Sequence, residues 1–309
     1  MTTASPPQPA RVSEKSTEHH WGTDALLVLM AVIWGVNYID VKLGTGFMTP
    51  LAFNGGRVAI AAVVLTAIVI ATRRAWPAKR ELLALLGLGV IGNGLYQFFF
   101  IEGIARTRAG TTALILSAAP AFMAIIGRIL GVERANRRKV LGILASLFGI
   151  ALVVFGTTQP RGANTASGST LAGPLLVLTA CLCWSLYTVL LKPYTERVDG
   201  LTLSAVTMVG GAVPLLAVAS TEIAHTSWGT LTIGAWGALA YSGLLALALA
   251  YLFWYRGVRV LGPTRTAMYS NLQPVIALLV AWPALGEVPT VVQIAGAVAI
   301  MFGILLTRA

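Results

Sequence analysis

Trp34, Asn37 and Tyr38 fall at i, i+3 and i+4 and so share one helix face. Asn93, Tyr96 and Gln97 repeat the spacing, and Trp184, Tyr187 and Thr188 repeat it again. Tyr251 with Trp254, and Asn271 close to Gln273, extend the set. Each group sits inside a long apolar run. A polar side chain there has to face a cavity or a partner helix, because hydrocarbon offers it no hydrogen bond. Brought together, these residues would form a pocket of aromatic faces with amide and hydroxyl groups, suited to a small amphipathic organic solute. The plainer use of the same types is interhelical hydrogen bonding and interfacial aromatic belts. Trp236 and Tyr241, near a span end, read as belt residues.

Three charges enter the apolar runs. Arg57 lies about two turns into the second. Asp40 and Glu102 lie near the ends of the first and third. They admit two readings. One is structural: snorkelling, with an Asp40–Arg57 pair. The other is an outer gate or a carboxylate anchor at Arg57, with Asp40 or Glu102 carrying a coupling proton if burial raises its pKa. No acid stands at mid-span, which argues against simple carboxylate-centred cation antiport. Nothing in the chain forms a metal or cofactor motif. Cys181 and Cys183 lie one residue apart in an apolar run, and His19, His20 and His225 lie outside the spans. No P-loop is present, so ATP is not used by this chain. An intramembrane enzyme, the alternative of another class, would need a nucleophile–base pair or metal ligands at depth, and none is visible.

The elements that must position these residues follow from composition. The 309 residues are 57% hydrophobic and 11% charged, with a net charge of +11 and a mean hydropathy of +0.80. A soluble domain carries roughly 25% charged residues. Soluble and disordered chains are therefore excluded. The basic excess belongs to membrane-side loops rather than to nucleic-acid binding. A span needs roughly 20 apolar residues. Ten runs qualify: 24–44, 50–72, 81–106, 109–130, 137–156, 171–192, 200–222, 234–258, 263–282 and 290–307. The predicted fold class is an all-α integral membrane protein. A cytoplasmic tail (1–23) precedes a first five-span unit (24–156), an extracytoplasmic linker (157–170) and a second unit (171–309). With the N-terminus inside, the outer side receives only Lys42, Arg106, Arg108 and Arg161, while the other Lys and Arg clusters fall inside. Both termini are then cytoplasmic.

The second unit reads as a copy of the first. A shift of 154 brings Gly103 onto Gly257, Thr112 onto Thr266, Pro120 onto Pro274, Glu133 onto Glu287, Gly142 onto Gly296 and Gly149 onto Gly303. A shift of 150 brings Trp34 onto Trp184 and Lys42 onto Lys192. Five spans is an odd number, so the second copy is inverted. Inverted repeats can exchange conformations, which gives alternating access around a site near the midplane. The glycine pairs spaced by seven lie along one helix face and favour close packing.

Together these residues resemble the ten-span EamA-type members of the drug/metabolite transporter superfamily. The resemblance rests on Trp34-Gly35 with Asn37, Arg57, Gly103, Pro120, Glu133 and Gly142…Gly149 in the first half. In the second it rests on Trp184, Gly257, Pro274, Gly286-Glu287 and Gly296…Gly303. It covers about 24–307. Gly131-Val132-Glu133 departs from the Gly-Glu pair kept at Gly286-Glu287. The resemblance implies secondary transport of small metabolites across the inner membrane, often outward movement of amino acids and related compounds. The alternative is a cation or multidrug exporter. The implied partners are a small-molecule metabolite and the lipid bilayer, with protons as candidate coupling ions and no nucleic acid. Oligomeric state stays open.

Overall fold

In the computed structural model the described residues are 21–130, 137–157, 171–261, 266, 269–270 and 272–308, and they form helices joined by short links. The helices are α1 (Trp21–Phe47), α2 (Pro50–Ala71), α3 (Lys79–Ala105), α4 (Ala109–Ile129), α5 (Arg137–Thr157), α6 (Ala172–Thr195), α7 (Gly200–His225), α8 (Ile233–Leu261), α9 (Leu272–Leu285) and α10 (Val291–Arg308). Seven of them, α1 to α4 and α6 to α8, are long and apolar enough to cross a membrane.

Local chemistry sets several boundaries. Thr49 accepts a hydrogen bond from the Ala52 amide, and Pro50 stands at the first helical position of α2. Asp199 accepts from the Leu201 and Thr202 amides and starts α7. Thr232 accepts from the Ala235 amide and starts α8. The α1 helix begins at Trp21, three residues before the expected 24. Tertiary contacts hold that extra turn, since Asp24 accepts from the Tyr269 hydroxyl at 2.6 Å and Thr23 is buried. The ninth expected span, 263–282, is described only in part, and α9 runs on to Leu285.

The α4 start is capped from far away in sequence. Glu287, just after the α9 turn at Gly286 (φ 66°), accepts from the Ala109 and Gly110 amides at 3.2 Å each. A carboxylate at a helix N-terminus satisfies orphan N–H groups and opposes the positive end of the helix dipole. Glu287→Ala is expected to cost about 1–2 kcal/mol. A thermal melt of the purified protein checks this, and an unshifted melt would remove the cap from the stabilising contacts. Glu133, its expected counterpart, lies outside the described residues.

Two helices depart from α geometry at matching places. α3 is π-helical over Val90–Leu95, where the Tyr96 amide bonds to the Ile91 carbonyl, five residues back. α8 is π-helical over Tyr241–Leu249, where the Ala250 amide bonds to the Leu245 carbonyl. A π turn holds an extra residue, so side chains before it rotate relative to those after it.

Glycines let these helices meet backbone to backbone. A Cβ on Gly89 of α3 would stand 2.2 Å from the Thr207 carbonyl oxygen of α7. One on Gly243 of α8 would stand 3.0 Å from the Arg57 carbonyl oxygen of α2. α5 and α10 pack on each other through Gly149 and Gly296, where added Cβ atoms would come 2.6 and 2.8 Å from the opposing carbonyl oxygens. Gly149 and Gly296 therefore serve contact within the chain.

Candidate functional site

A cavity of about 60 Å³ lies between α1, α2, α3, α4, α6, α8 and α9. Its walls follow from the packing above. α1 and α6 bring Trp34 and Trp184 face to edge, with ring centroids 6.1 Å apart and planes at 88°. Tyr251 lies 5.7 Å from each of the two rings. Trp254 lies 5.7 Å from Trp34 and 5.8 Å from Trp184. Tyr96 lies 5.2 Å from Trp184 and stacks on Phe100 at 5.8 Å. Edge-to-face and offset arrangements are those that aromatic quadrupoles favour. The Trp34 indole N–H donates to the Ala246 carbonyl at 2.8 Å, within the π-helical part of α8. Trp34 thus has a fixed orientation while its ring lines the cavity.

One wall is polar. Arg57 donates through Nε to Asn54 Oδ1 (2.9 Å), through Nη1 to Ser242 Oγ (2.9 Å) and through Nη2 to Gln97 Oε1 (2.5 Å). Ser242 Oγ donates in turn to Asn37 Oδ1 at 2.8 Å. Asn54 Nδ2 donates to the Gln97 carbonyl at 2.9 Å. The Tyr38 hydroxyl donates to Gln273 Oε1 at 3.0 Å. These bonds join α1, α2, α3, α8 and α9 around a buried guanidinium. Arg57, Asn37, Gln97, Tyr38 and Gln273 all reach the cavity.

Of the residues expected from sequence, Trp34, Asn37, Tyr38, Tyr96, Gln97, Trp184, Tyr251 and Trp254 line this cavity, and so does Arg57. Tyr187 does not. Its ring packs over Gly92, and its hydroxyl meets Tyr255 (2.5 Å) and Thr207 (3.3 Å) in a second buried polar cluster. Asn93 also lies away from the cavity. Its amide sits beside the Tyr187 hydroxyl without closing a hydrogen bond of normal geometry. The i, i+3, i+4 spacing that grouped Asn93 with Tyr96 and Gln97 assumes α geometry, and the π turn over Val90–Leu95 breaks that phase. Asn271 lies outside the described residues.

The charges also settle differently from the structural pair expected. Arg57 is held by neutral groups, and no ion pair joins it to Asp40 among the described residues. Asp40 Oδ2 is buried and has no hydrogen-bond partner. Glu102 pairs with Arg106 one turn on and does not line the cavity. Lys42 spans three carbonyls at the end of α3, those of Ile104, Ala105 and Thr107, at 2.7–3.0 Å. A cation there neutralises the negative end of the helix. Tyr241 is tied to α1, since its hydroxyl donates to the Ile33 carbonyl at 3.0 Å. Sequence reasoning missed Asn54 and Ser242. Asn54 stands three residues before Arg57 on the same helix face, a signal that could have found it, whereas Ser242 has no polar residue at helical spacing to mark it.

The EamA-like transporter family pattern matches residues 21–155 and again 171–309. The chain is 29% identical over 288 residues to the uncharacterized transporter YyaM of Bacillus subtilis (strain 168), covering 93% of each chain. It is 28% identical to a probable amino-acid metabolite efflux pump of Salmonella typhimurium, over 90% of this chain and 92% of that one. It is 26% identical to a probable terminal-alkyne amino-acid exporter of Streptantibioticus cattleyicolor, over 91% of each. A crystal structure with 18% identity superposes over 93% of this chain and 98% of its own length with a TM-score of 0.64, a likeness of fold alone.

Proposed function

Because the chain belongs to the EamA-like transporter family of drug/metabolite transporter type, we propose that it is a secondary active carrier working by alternating access. Its substrates are small amphipathic metabolites, amino acids or related compounds in the first place, moved outward across the inner membrane. The observation that carries this reading is the aromatic cavity, whose central pair, Trp34 and Trp184, comes from equivalent places in the two halves. The names of the Salmonella and Streptantibioticus relatives support the substrate class. The family and the names of its relatives point to transport rather than to an enzyme.

Alternating access rests on the two halves being inverted copies spanning ten times, with α5, α9 and α10 crossing beside the seven long apolar helices. Contacts recurring under the sequence shifts support this. Gly103 abuts Val177, while its counterpart Gly257 abuts Leu27, the counterpart of Val177. Gly89 faces the Thr207 carbonyl, while Gly243 faces that of Arg57. Ser185 donates to the Ala119 carbonyl, and Gly35, its counterpart, lies under the Gln273 carbonyl, the counterpart of Ala119. Gly149 meets Gly296, and the shift makes Gly142 and Gly303 the mate of that pair. One index rises as the other falls, as in an antiparallel pair about a two-fold axis in the membrane plane. Both termini are then cytoplasmic and the 157–170 linker lies outside. A cysteine placed at Thr165 should be labelled from outside intact cells. Labelling only after lysis would reverse the map.

A cation or multidrug exporter is the second reading, favoured by the aromatic box, since ring faces attract cations. Arg57 on the same wall opposes it. The test is a metabolite profile of medium and cytosol from cells overproducing the protein. One compound class enriched in the medium is the expected result. Enrichment in the cytosol would reverse the direction, and profiles equal to those of empty cells across supplied amino acids would overturn the proposal.

A further inference from the structure

Arg57 is 0% exposed, yet its three hydrogen-bond partners among the described residues, Asn54, Gln97 and Ser242, are uncharged. A buried charge is ordinarily paired, because a low-dielectric interior makes an uncompensated one costly. The ion pairs among the described residues are Arg74–Asp199, Arg106–Glu102 and Arg197–Glu81, and none includes Arg57. Asp40 acts on it only through space. Phe100 and Phe53 lie over the guanidinium at 5.3 and 5.9 Å, which softens the charge without neutralising it.

A guanidinium has five N–H donors in a planar fork. Three are engaged, one through each nitrogen. Among the described residues one N–H on Nη1 and one on Nη2 are then left without a partner, on a residue that lines the cavity. Two donors on one planar guanidinium can serve the two oxygens of a carboxylate. Asn54, Gln97 and Ser242 hold the fork in place from α2, α3 and α8. The site is also one-sided. The counterpart of Arg57 in the second half is Thr207, which is bonded to Tyr187.

We propose that the free edge of the Arg57 guanidinium is an anion subsite that takes the carboxylate of the transported molecule. The substrate class is then a small monocarboxylate or zwitterion whose apolar or aromatic body lies against Trp34, Tyr96, Trp184 and Tyr251. This deepens the transport reading and rests on it. It also gives the cavity charge selectivity, because a cation lacking a carboxylate would enter against the Arg57 charge.

Four probes share a phenyl body and differ in charge: 3-phenylpropanoate, L-phenylalanine, L-phenylalaninamide and phenethylamine. Each is titrated onto the purified full chain in detergent, with the fluorescence of the cavity tryptophans as readout. Saturable responses to the two carboxylates, at least tenfold tighter than to the two amines, are expected. Arg57→Gln should weaken the carboxylates at least tenfold and leave the amines unchanged or tighter. Arg57→Lys keeps the charge but loses the fork and should fall between. Retention of its near-ultraviolet circular dichroism guards against reading misfolding as lost binding. Chloride, titrated alone, separates a substrate carboxylate from a resident inorganic anion. A saturating chloride response that the carboxylates do not displace would overturn the substrate assignment. Equal binding of amines and carboxylates, unmoved in Arg57→Gln but lost in Trp34→Ala, would overturn the anion subsite and leave the transport reading standing. No response to any probe from a folded, monodisperse protein would count against the subsite and the cavity together.

Discussion

Cells producing the Trp34→Ala/Trp184→Ala double variant should show no substrate enrichment in the medium at a protein level matched to the unsubstituted chain. The two rings meet at 6.1 Å, and each also touches Tyr251 and Trp254. Removing both leaves the remaining aromatics without the partners that fix their tilt. Large aromatic groups present about 150–250 Å² each, so losing two from one small cavity should weaken binding by at least about a hundredfold. The single variants should differ. Trp34 also donates to the Ala246 carbonyl, so Trp34→Phe keeps a ring but frees it to turn. Trp184→Phe loses area but, among the described residues, no indole hydrogen bond, and it should be the milder change. The check is the ratio of medium to cytosol concentration. A double variant that exports as well as the unsubstituted chain would remove these rings from the site.

Gly149→Ala should destabilise the protein by about 3 kcal/mol or more, above the usual range for an overpacked core. The reason is the identity of the atoms in the way. The new Cβ would come 2.6 Å from the Gly296 carbonyl oxygen and 2.7 Å from the Ile300 amide nitrogen. Backbone cannot swing aside as a side chain can, so α5 and α10 would have to separate. Gly296→Ala should act in the same way, and the double variant should cost less than the sum, because one separation relieves both clashes. Gly87→Ala and Gly237→Ala are the controls. Nothing lies within 4 Å of either added Cβ, and alanine is the better helix former. Thermal unfolding of the purified protein reads the difference. A Gly149→Ala melt level with those controls would mean that the two helices do not depend on this contact.

Much of the candidate site was legible because it is written in residue type. Aromatic residues in mid-span at repeat-related places stand out in so apolar a chain, and most of them do line one cavity. Phase was less legible. Asn93 and Tyr187 share helical spacing with cavity residues and still pack elsewhere, one through a π turn and the other through a second polar cluster with Thr207 and Tyr255. Nothing in the local sequence around Val90 or Tyr241 marks that extra residue per turn. Partner choice was illegible for a different reason. Asp40 was the obvious mate for Arg57 by charge, yet Ser242 and Gln97 take the guanidinium because helix crossing, not charge, decides which side chains meet. Glu287 carried a family resemblance, but its task as a cap for α4 emerges only when α9 ends beside Ala109.

The bonds around the cavity also set a timetable for synthesis. Arg57 and Ser242 are 185 residues apart, Trp34 and Ala246 are 212 apart, and Tyr38 and Gln273 are 235 apart. A ribosome adds about 5–20 residues per second. Arg57 therefore enters the bilayer roughly 10–40 s before Ser242 exists. Asn54 and Gln97 are at hand during that interval, but the rest of the fork must be satisfied by water, by lipid headgroups or by the insertion machinery. The half-made chain, rather than the finished carrier, is the species most open to membrane quality control. Its survival depends on how quickly the later helices arrive.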